Sequence, residues 1–379
     1  MKHLSFKFEG DRKIWILLGI LAFVSIISVY SSTYRLTIRS GNLIGPISRH
    51  IFFLCSGFVV IYLMHKMAIQ WYKIVIPIIL FFIVVCLILV LVIQGEGEKR
   101  WLFSRSFQPS DFAKVFMVVY LAKVISDGFG GSIKKFILLA LFPIFLVCGL
   151  IIFGHTSTAA IIGGVSMVMV FMGSTKIRYR TISAMSFFVL MAVYLFFIKD
   201  IGRKETASNR VSTWWVSAFS SSKNNYEQAK TAQYAVVSGG LFQFAPGKSF
   251  YRKTLSEAHN DFIFAMIIEE YGMMGGIFVI IVYLMLFYRV LKVLKKCTRP
   301  FTSLLMAGLL LLIISQTFIH IGVSVGGFPI TGQNLPLIST GGSSILVTCI
   351  AFGMILATSR IAEANEHEEL QNQNKCDTV

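Results

Sequence analysis

Long apolar segments separated by short polar or basic connections make up most of the chain. Ten segments are long enough, or nearly so, to cross a bilayer as helices of roughly 20 residues. They cover residues 14–33, 49–65, 73–94, 111–126, 134–153, 155–173, 181–199, 261–290, 303–325 and 343–359. The pattern predicts an all-α polytopic membrane protein with ten transmembrane helices in one membrane domain, residues 1–360. Polar stretches predict a large extracytoplasmic loop between helices 7 and 8, about residues 200–260. They also predict a polar tail over residues 361–379, disordered or a short frayed helix.

Lys and Arg are distributed unevenly among the connections. With the N-terminus inside, seventeen lie on the cytoplasmic side and six in the short external loops, so both termini are predicted to be cytoplasmic. Of 379 residues, 55% are hydrophobic and 14% are charged, whereas a soluble domain has about 25% charged residues. The net charge of +17 is explained by loops that face anionic lipid, so we expect no nucleic-acid partner. The six cysteines form no C-x-x-C pair, and we expect no structural metal site.

Two external loops have unusual compositions. The large loop is basic and carries Trp214, Trp215, Tyr226 and Tyr234, which suits an anionic, lipid-linked substrate. The alternative is simple anchoring of these aromatic side chains at the membrane interface. The last loop, residues 326–344, has five glycines, two prolines and no charge. It is predicted to be a re-entrant loop that lines a cavity, with an ordinary surface turn as the alternative.

The candidate chemistry centres on residues 255–272. Asp261 lies at the outer lip of an apolar segment, and Glu269, roughly 12 Å further along a helix, is expected to lie well inside it. A carboxylate costs about 2.5–3.5 kcal/mol in a membrane, so such groups tend to face a cavity, a partner or a substrate. Lys114, on the first turn after Pro109, needs a carboxylate partner if buried, and Asp261 is the expected one. The alternative is a lysine that reaches the interface without a role.

Several separated motifs resemble those of one family. They are V-Y-S-S near Val29, K-R-W with F-Q-P-S-D-F-A-K over 99–114, E-A-H-N-D-F-I-F-A-M-I-I-E-E-Y-G over 257–272, and the last loop. In this order they resemble the SEDS family of bacterial peptidoglycan polymerases over about residues 12–360, and its division members above all. The elongation members of the family share these motifs, so assignment to them stays an alternative. The chain departs from the family at F-G-H-T-S-T, at Asp111 in place of Glu, and in lacking a G-x-G-x-G in the large loop.

The resemblance implies a glycosyltransferase that polymerises lipid II at the outer face of the bacterial cytoplasmic membrane, at the division septum. It implies that Asp261 is the catalytic base, and that the protein works with a class B penicillin-binding protein transpeptidase and other divisome proteins. It also implies a set of residues that line or flank the substrate cavity: Lys114, Arg100, Trp101, Gln108, Ser110, Arg210, Glu257, His259 and Ser339.

The leaving pyrophosphate of such a reaction needs nearby positive charge. Lys114, Arg100, Arg210 or a divalent cation such as Mg²⁺ or Mn²⁺ would supply it, and the sequence does not choose among them. Two alternative functions use the same features: a lipid II flippase and an elongation polymerase. A scaffold that only activates a partner synthase ranks lower, because it leaves Asp261 and Lys114 without a purpose.

Overall fold

The computed structural model describes residues 10–32, 45–93, 108–174, 176–200, 227–255 and 258–376, and in these ranges the regular structure is helical. The helices are α1 Arg12–Ser32, α2 Gly45–Lys66, α3 Ile69–Ile93, α4 Pro109–Asp127, α5 Ile133–Ile152, α6 Thr156–Gly173, α7 Ile177–Asp200, α8 Glu227–Ser238, α9 Ile263–Leu294, α10 Pro300–Ser324 and α11 Gly342–Cys376. A 3₁₀ turn covers Tyr251–Lys253. The predicted all-α class is confirmed.

Eight helices within the described ranges are long and apolar enough to cross a membrane, and each coincides with a predicted segment. The other two predicted spans correspond to α4 and α7. α4 is less apolar because it is enclosed by α3, α6 and α10, so its polar side chains face protein rather than lipid. The chain is therefore a multi-pass membrane protein, and the count of ten spans stays a prediction.

Close helix packing depends on small residues. α2 packs along α11, where a side chain at Gly57 would lie 2.6 Å from Sγ of Cys349 and one at Gly353 would lie 2.6 Å from Cβ of Met64. Since lipid supplies no hydrophobic drive between helices, such close approach is what makes their association favourable. The resulting core is continuous from α1 to α11 and supports the helix ends on which the candidate site is built.

α5 contains a π-helical turn, Ile137–Leu141. Pro143 follows it, and a proline cannot bond to the carbonyl four residues earlier. That carbonyl belongs to Leu139, and it accepts a hydrogen bond of 3.0 Å from the hydroxyl of Tyr120 on α4. The interruption of α5 thus provides a polar attachment between two helices in a largely apolar region.

The C-terminal helix and the last loop refine the sequence predictions. α11 continues through the predicted tail to Cys376, because no glycine or proline interrupts residues 354–376 and Glu, Gln and Ala favour helix there. The last loop has irregular backbone, and Gln333, Leu335 and Ser339 in it are at most 4% exposed. The segment from Gln333 to Ser339 is therefore enclosed by protein and is not an ordinary surface turn, whereas Gly327 and Phe328 at the start of the loop are exposed.

Candidate active site

Asp261 lies on a turn at the start of α9, two residues before its first helical residue, Ile263. The neighbouring Ala258 and Phe262 are buried, whereas Asp261 is partly exposed. Buried neighbours fix the turn, and the partial positive charge of a helix N-terminus favours an ionised carboxylate beside it. The position therefore combines an anchored backbone with a carboxylate that solvent or a ligand can reach.

The last loop clamps this turn through two neighbouring residues. Ser339 Oγ donates to the carbonyl of Asn260 at 2.8 Å, and the amide of Thr340 donates to the carbonyl of His259 at 3.1 Å. The hydroxyl of Thr340 lies 2.5 Å from Oδ1 of Asn260. The two residues before Asp261 are therefore fixed by a segment about 80 positions later in the chain.

Gly332 brings the same loop close to the carboxylate itself. It has a φ of +65°, and a Cβ there would lie 3.6 Å from Oδ2 of Asp261. Gln333, the next residue, is tied to two helices: its carbonyl lies 2.7 Å from Nδ1 of His320, and its Nε2 donates to Oγ1 of Thr158 at 3.0 Å. These attachments hold the backbone at Gly332 against the carboxylate of Asp261.

A second polar connection fixes the loop from the side of α1 and α2. Ser25 Oγ donates to the carbonyl of Ile338 at 2.9 Å and lies 2.8 Å from Nε2 of His50. Since the Ser25 hydroxyl gives its proton to Ile338, it accepts from His50, and the imidazole carries its hydrogen on Nε2. Ile338 immediately precedes Ser339, so this connection supports the clamp on Asn260.

The sequence predicts that Lys114 pairs with Asp261, but the structure pairs it with a different carboxylate. Its amino group lies 2.9 Å from Oδ1 of Asp111, three residues earlier on α4, and both side chains are 8% exposed. Residues three apart share one face of a helix, so the nearest carboxylate was local. Ser343 Oγ, on the first turn of α11, donates to Oδ2 of Asp111 at 3.2 Å. The sequence signal for this pair is the spacing of three residues between Asp111 and Lys114.

Gln108 and Ser110 form part of the same buried region. Gln108 Nε2 donates to Oγ of Ser110 at 3.0 Å and lies 2.8 Å from Nε2 of His155 at the start of α6. Pro109 occupies the first turn of α4, where its missing N–H costs nothing. The motif thus begins α4 and ties that helix to α6.

The structure unites some of the predicted residues through the last loop. Asp261, His259 and Ser339 meet at the clamp, and four residues after Ser339 the loop reaches the Asp111–Lys114 pair through Ser343. Gln108 and Ser110 lie at the start of the helix that carries this pair. The remaining predicted residues, Arg100, Trp101, Arg210 and Glu257, lie outside the described residues.

Glu269 is buried, and its partner is the segment Ser249–Tyr251 of the chain's own large loop. Its carboxylate accepts from Ser249 Oγ at 2.5 Å, from the amide of Phe250 at 2.7 Å and from the amide of Tyr251 at 3.1 Å. Its neighbour Glu270 accepts from the hydroxyl of Ser31 on α1. Hydrogen bonds of this kind compensate a buried carboxylate for its lost water. Glu269 therefore fastens the loop that leads to Asp261, and Glu270 bonds α9 to α1.

Comparison with known proteins shows which family the chain resembles. The family model FTSW_RODA_SPOVE, described as cell cycle protein, matches residues 11–364. A protein of Halomonas elongata named "Probable peptidoglycan glycosyltransferase FtsW" is 30% identical over 364 residues, 90% of this chain and 89% of its own. Stage V sporulation protein E of Bacillus subtilis is 29% identical over 303 residues, 76% of this chain and 79% of its own.

Two solved structures share the fold. One comes from work on the structural coordination of polymerization and crosslinking by a peptidoglycan synthase complex, with a TM-score of 0.72, 20% identity, and 93% of this chain and 98% of that chain covered. The other is the rod shape determining protein RodA of Thermus thermophilus, with a TM-score of 0.66, 22% identity and coverage of 93% and 97%. The family model and the sequence relatives together show that the chain belongs to the SEDS family of FtsW, RodA and SpoVE proteins and is FtsW-like.

Proposed function

We propose that this protein is a peptidoglycan glycosyltransferase that polymerises lipid II into glycan strands, with Asp261 as its catalytic base. The observation that carries the proposal is the clamped, partly exposed carboxylate of Asp261. The backbone on its N-terminal side is fixed by Ser339 and Thr340, and the backbone at Gly332 lies close to Oδ2. Family membership supports the reaction class, because FtsW relatives carry the name peptidoglycan glycosyltransferase.

In the proposed reaction, two substrate sugars would bind beside the fixed carboxylate of Asp261. Asp261 accepts the proton of the 4-hydroxyl of an acceptor lipid II, and that oxygen attacks the anomeric carbon of the donor strand. The new glycosidic bond forms as the bond to the donor's pyrophosphate breaks, and the electron pair leaves with the pyrophosphate. Attack from the opposite face inverts the anomeric configuration, and Asp261 then releases its proton to water.

The basic residues that could stabilise the departing pyrophosphate differ in how much free positive charge they offer. The ion pair with Asp111 partly neutralises Lys114, so this lysine alone is a weak source of stabilisation. Arg100 and Arg210 stay proposed contacts of the substrate. Trp101, Gln108, Ser110, Glu257, His259 and Ser339 are proposed to lie in or beside the cavity. Among them, Gln108 and Ser110 bond to each other through their side chains, and Ser339 holds the backbone at Asn260 and Leu335.

A divalent cation fits the site only in a limited way. Over the part of the chain that the structure describes, no three His, Cys, Asp or Glu side chains converge as a metal-binding group. Mg²⁺ commonly takes one or two carboxylates and completes its shell with substrate phosphates and water. Asp261 and the substrate pyrophosphate would be the ligands of such an ion, which would supply charge neutralisation at the pyrophosphate.

The proposed setting is the outer face of the bacterial cytoplasmic membrane at the division septum, with both termini in the cytoplasm. The proposed partners are a class B penicillin-binding protein that cross-links the new strand, and other divisome proteins. The FtsW-like sequence favours division over elongation. A lipid II flippase would use a similar cavity but would move its substrate without lengthening glycan.

The test is polymerisation of lipid II by the purified full chain, with and without its cognate transpeptidase. We expect glycan polymer from the parent chain and none from Asp261→Asn, which removes the base while preserving the shape of the side chain. Asp127→Asn is the matched control. Asp127 is an exposed acid at the C-terminal end of α4, where it pairs with Lys73. Undiminished polymer from folded Asp261→Asn would remove Asp261 from the mechanism, and substrate translocation without polymer would favour the flippase.

A further inference from the structure

Residues 237–250 display a row of apolar side chains, named here the outer row. Its members are between 62% and 82% exposed: Val237, Leu241, Phe242, Phe244 and Phe250. A cluster of exposed aromatic side chains of this size is costly in water and marks a contact surface. The proposed reaction gives this row no role.

Two contacts of α9, one with Asp11 just before α1 and one with α1 itself, indicate where the membrane lies. At one end Arg289 pairs with Asp11 at 3.9 Å, and at the other end Glu270 accepts from Ser31. The 19 positions of α9 between these contacts span about 29 Å, close to the roughly 30 Å of a bilayer's hydrocarbon core. Charged groups at both levels fit the two edges of that core. With the core placed between these levels, Glu270 lies at its outer edge and Glu269 lies next to it, nearer the surface than the sequence predicts.

The backbone of the outer row lies at this outer edge. The carbonyls of Gly240 and Leu241 accept from the amides of Met273 and Met274 at 2.9 and 3.4 Å. The amide of Ala245 donates to the carbonyl of Glu270 at 2.9 Å. Irregular backbone at this depth must have its polar groups satisfied, and these bonds satisfy three of those groups.

Gly272 makes this docking possible. Its φ of +70° interrupts α9, so the amides of Met273 and Met274 are directed to the outer row instead of the preceding turn. A Cβ at Gly272 would lie 2.7 Å from the amide nitrogen of Gln243. The kink in α9 and the path of the outer row are therefore one structural feature.

The lipid-facing surface of α9 continues directly into the outer row. Below the kink, Met273, Met274, Ile277 and Phe278 are 40% to 50% exposed on a helix of membrane-spanning length, so they face acyl chains. Leu241 is bonded through its carbonyl to Met274 and lies beside them. We propose that the outer row is a monotopic anchor, inserted among the lipids of the outer leaflet, with its aromatic side chains at the boundary between headgroups and acyl chains.

This anchor has a consequence for the active site, and that consequence rests on the proposed function. Residues 249–251, at the end of the outer row, are fastened to Glu269, and the chain then continues to the turn of Asp261. Ile263, the first residue of α9, is seven residues from Glu270, roughly 10 Å along the helix, and Asp261 lies on the turn just before it. The anchor would hold Asp261 at a constant height above the leaflet that contains a lipid-linked substrate.

The test of the anchor does not depend on activity, so its failure is distinct from failure of the proposed function. p-Benzoylphenylalanine replaces Phe242 or Phe244, one at a time, in the full chain in vesicles of phosphatidylethanolamine and phosphatidylglycerol. Irradiation links the ketone to nearby C–H bonds, and mass spectrometry identifies the adducts. We expect lipid adducts at both positions, several-fold above those at Thr254, an exposed polar residue of the same loop.

A second measurement needs no photoreactive residue. Phe242→Cys should react with a membrane-impermeant maleimide several-fold more slowly than Thr254→Cys, with labelling of the parent chain subtracted. Equal rates, or no lipid adducts in correctly folded protein, would overturn the proposal. So would replacement of lipid adducts by protein adducts when the cognate transpeptidase is added, since the outer row would then be a protein-docking surface.

Discussion

Ser339 donates a hydrogen bond of 2.8 Å to the carbonyl of Asn260, the residue before Asp261, and accepts one of 2.8 Å from the amide of Leu335. Ser339→Ala leaves a buried amide and a carbonyl without this partner, at a cost of about 1–3 kcal/mol for each unsatisfied group. Because the lost bond releases the turn of Asp261, we expect kcat for polymerisation to fall about tenfold or more, with a smaller change in KM. Steady-state polymerisation of lipid II measures both.

Ser344→Ala is the matched control for this prediction. Ser344 lies five residues further along, at the start of α11, and is only partly buried. We expect its replacement to leave kcat within about twofold of the parent. A rise in KM at constant kcat in Ser339→Ala would instead indicate that the hydroxyl binds substrate directly.

The helices and the last loop were predictable from the sequence, whereas the hydrogen bond between Ser339 and Asn260 was not. Apolar length alone located the membrane helices to within a few residues, as for α3, predicted over 73–94 and found over Ile69–Ile93. The enclosed last loop followed from uncharged, Gly- and Pro-rich sequence between two spans. The bond from Ser339 to Asn260 joins residues 79 positions apart and depends on how four helices pack, which periodicity does not report.

The ion pair between Lys114 and Asp111 is a local contact that helix spacing alone predicts. Lys114 and Asp111 are three residues apart on a helix that was correctly expected, so their ion pair was predictable from spacing. The partner of Glu269 was not, because it consists of backbone amides from a loop whose path depends on the kink at Gly272. A single glycine in a membrane helix is common and gives no signal of a break.

The Asp111–Lys114 pair makes a prediction that separates folding from catalysis. Asp111→Asn or Lys114→Met alone leaves one buried charge without its partner and should destabilise the protein by about 3–5 kcal/mol. The double variant removes both charges and should recover most of that loss in thermal unfolding. We expect polymerisation to recover less than stability, because Lys114 is also a proposed contact of the substrate.

Equal recovery of both properties in the double variant would assign Lys114 a structural role only. The surface pair of Lys73 and Asp127 is the control, since its atoms lie 3.4 Å apart but both side chains are at least 36% exposed. Breaking it should change stability by no more than about 1 kcal/mol.

Glu269 should tolerate an amide better than a methyl group. Glu269→Ala removes the acceptor for Ser249, Phe250 and Tyr251, whereas Glu269→Gln keeps one side-chain oxygen for the two amides. We expect Glu269→Ala to lower the free energy of unfolding by about 3 kcal/mol or more and Glu269→Gln by less. Polymerisation should follow the same order through kcat, since the loop leads to Asp261. If Glu269→Gln were as impaired as Glu269→Ala, the charge itself rather than the acceptor would be required.

Gly272 is the position where a single methyl group should disturb both the kink and the outer row. Gly272→Ala places a Cβ at φ +70°, 2.7 Å from the Gln243 nitrogen and 2.8 Å from the Leu241 oxygen, all of them backbone contacts that no rotamer can relieve. Strain of this kind costs about 1–3 kcal/mol, and relief by straightening α9 would break the bonds from Met273 and Met274. We expect a lower thermal midpoint together with faster maleimide labelling of Phe242→Cys in the Gly272→Ala background.

Gly19→Ala is the control, because Gly19 lies within α1 with no atom within 4 Å of its Cβ position. We expect this substitution to be neutral or to stabilise the protein by up to about 1 kcal/mol. If Gly272→Ala lowered the midpoint without exposing position 242, the kink would stabilise α9 independently of the outer row, and the two would not be coupled.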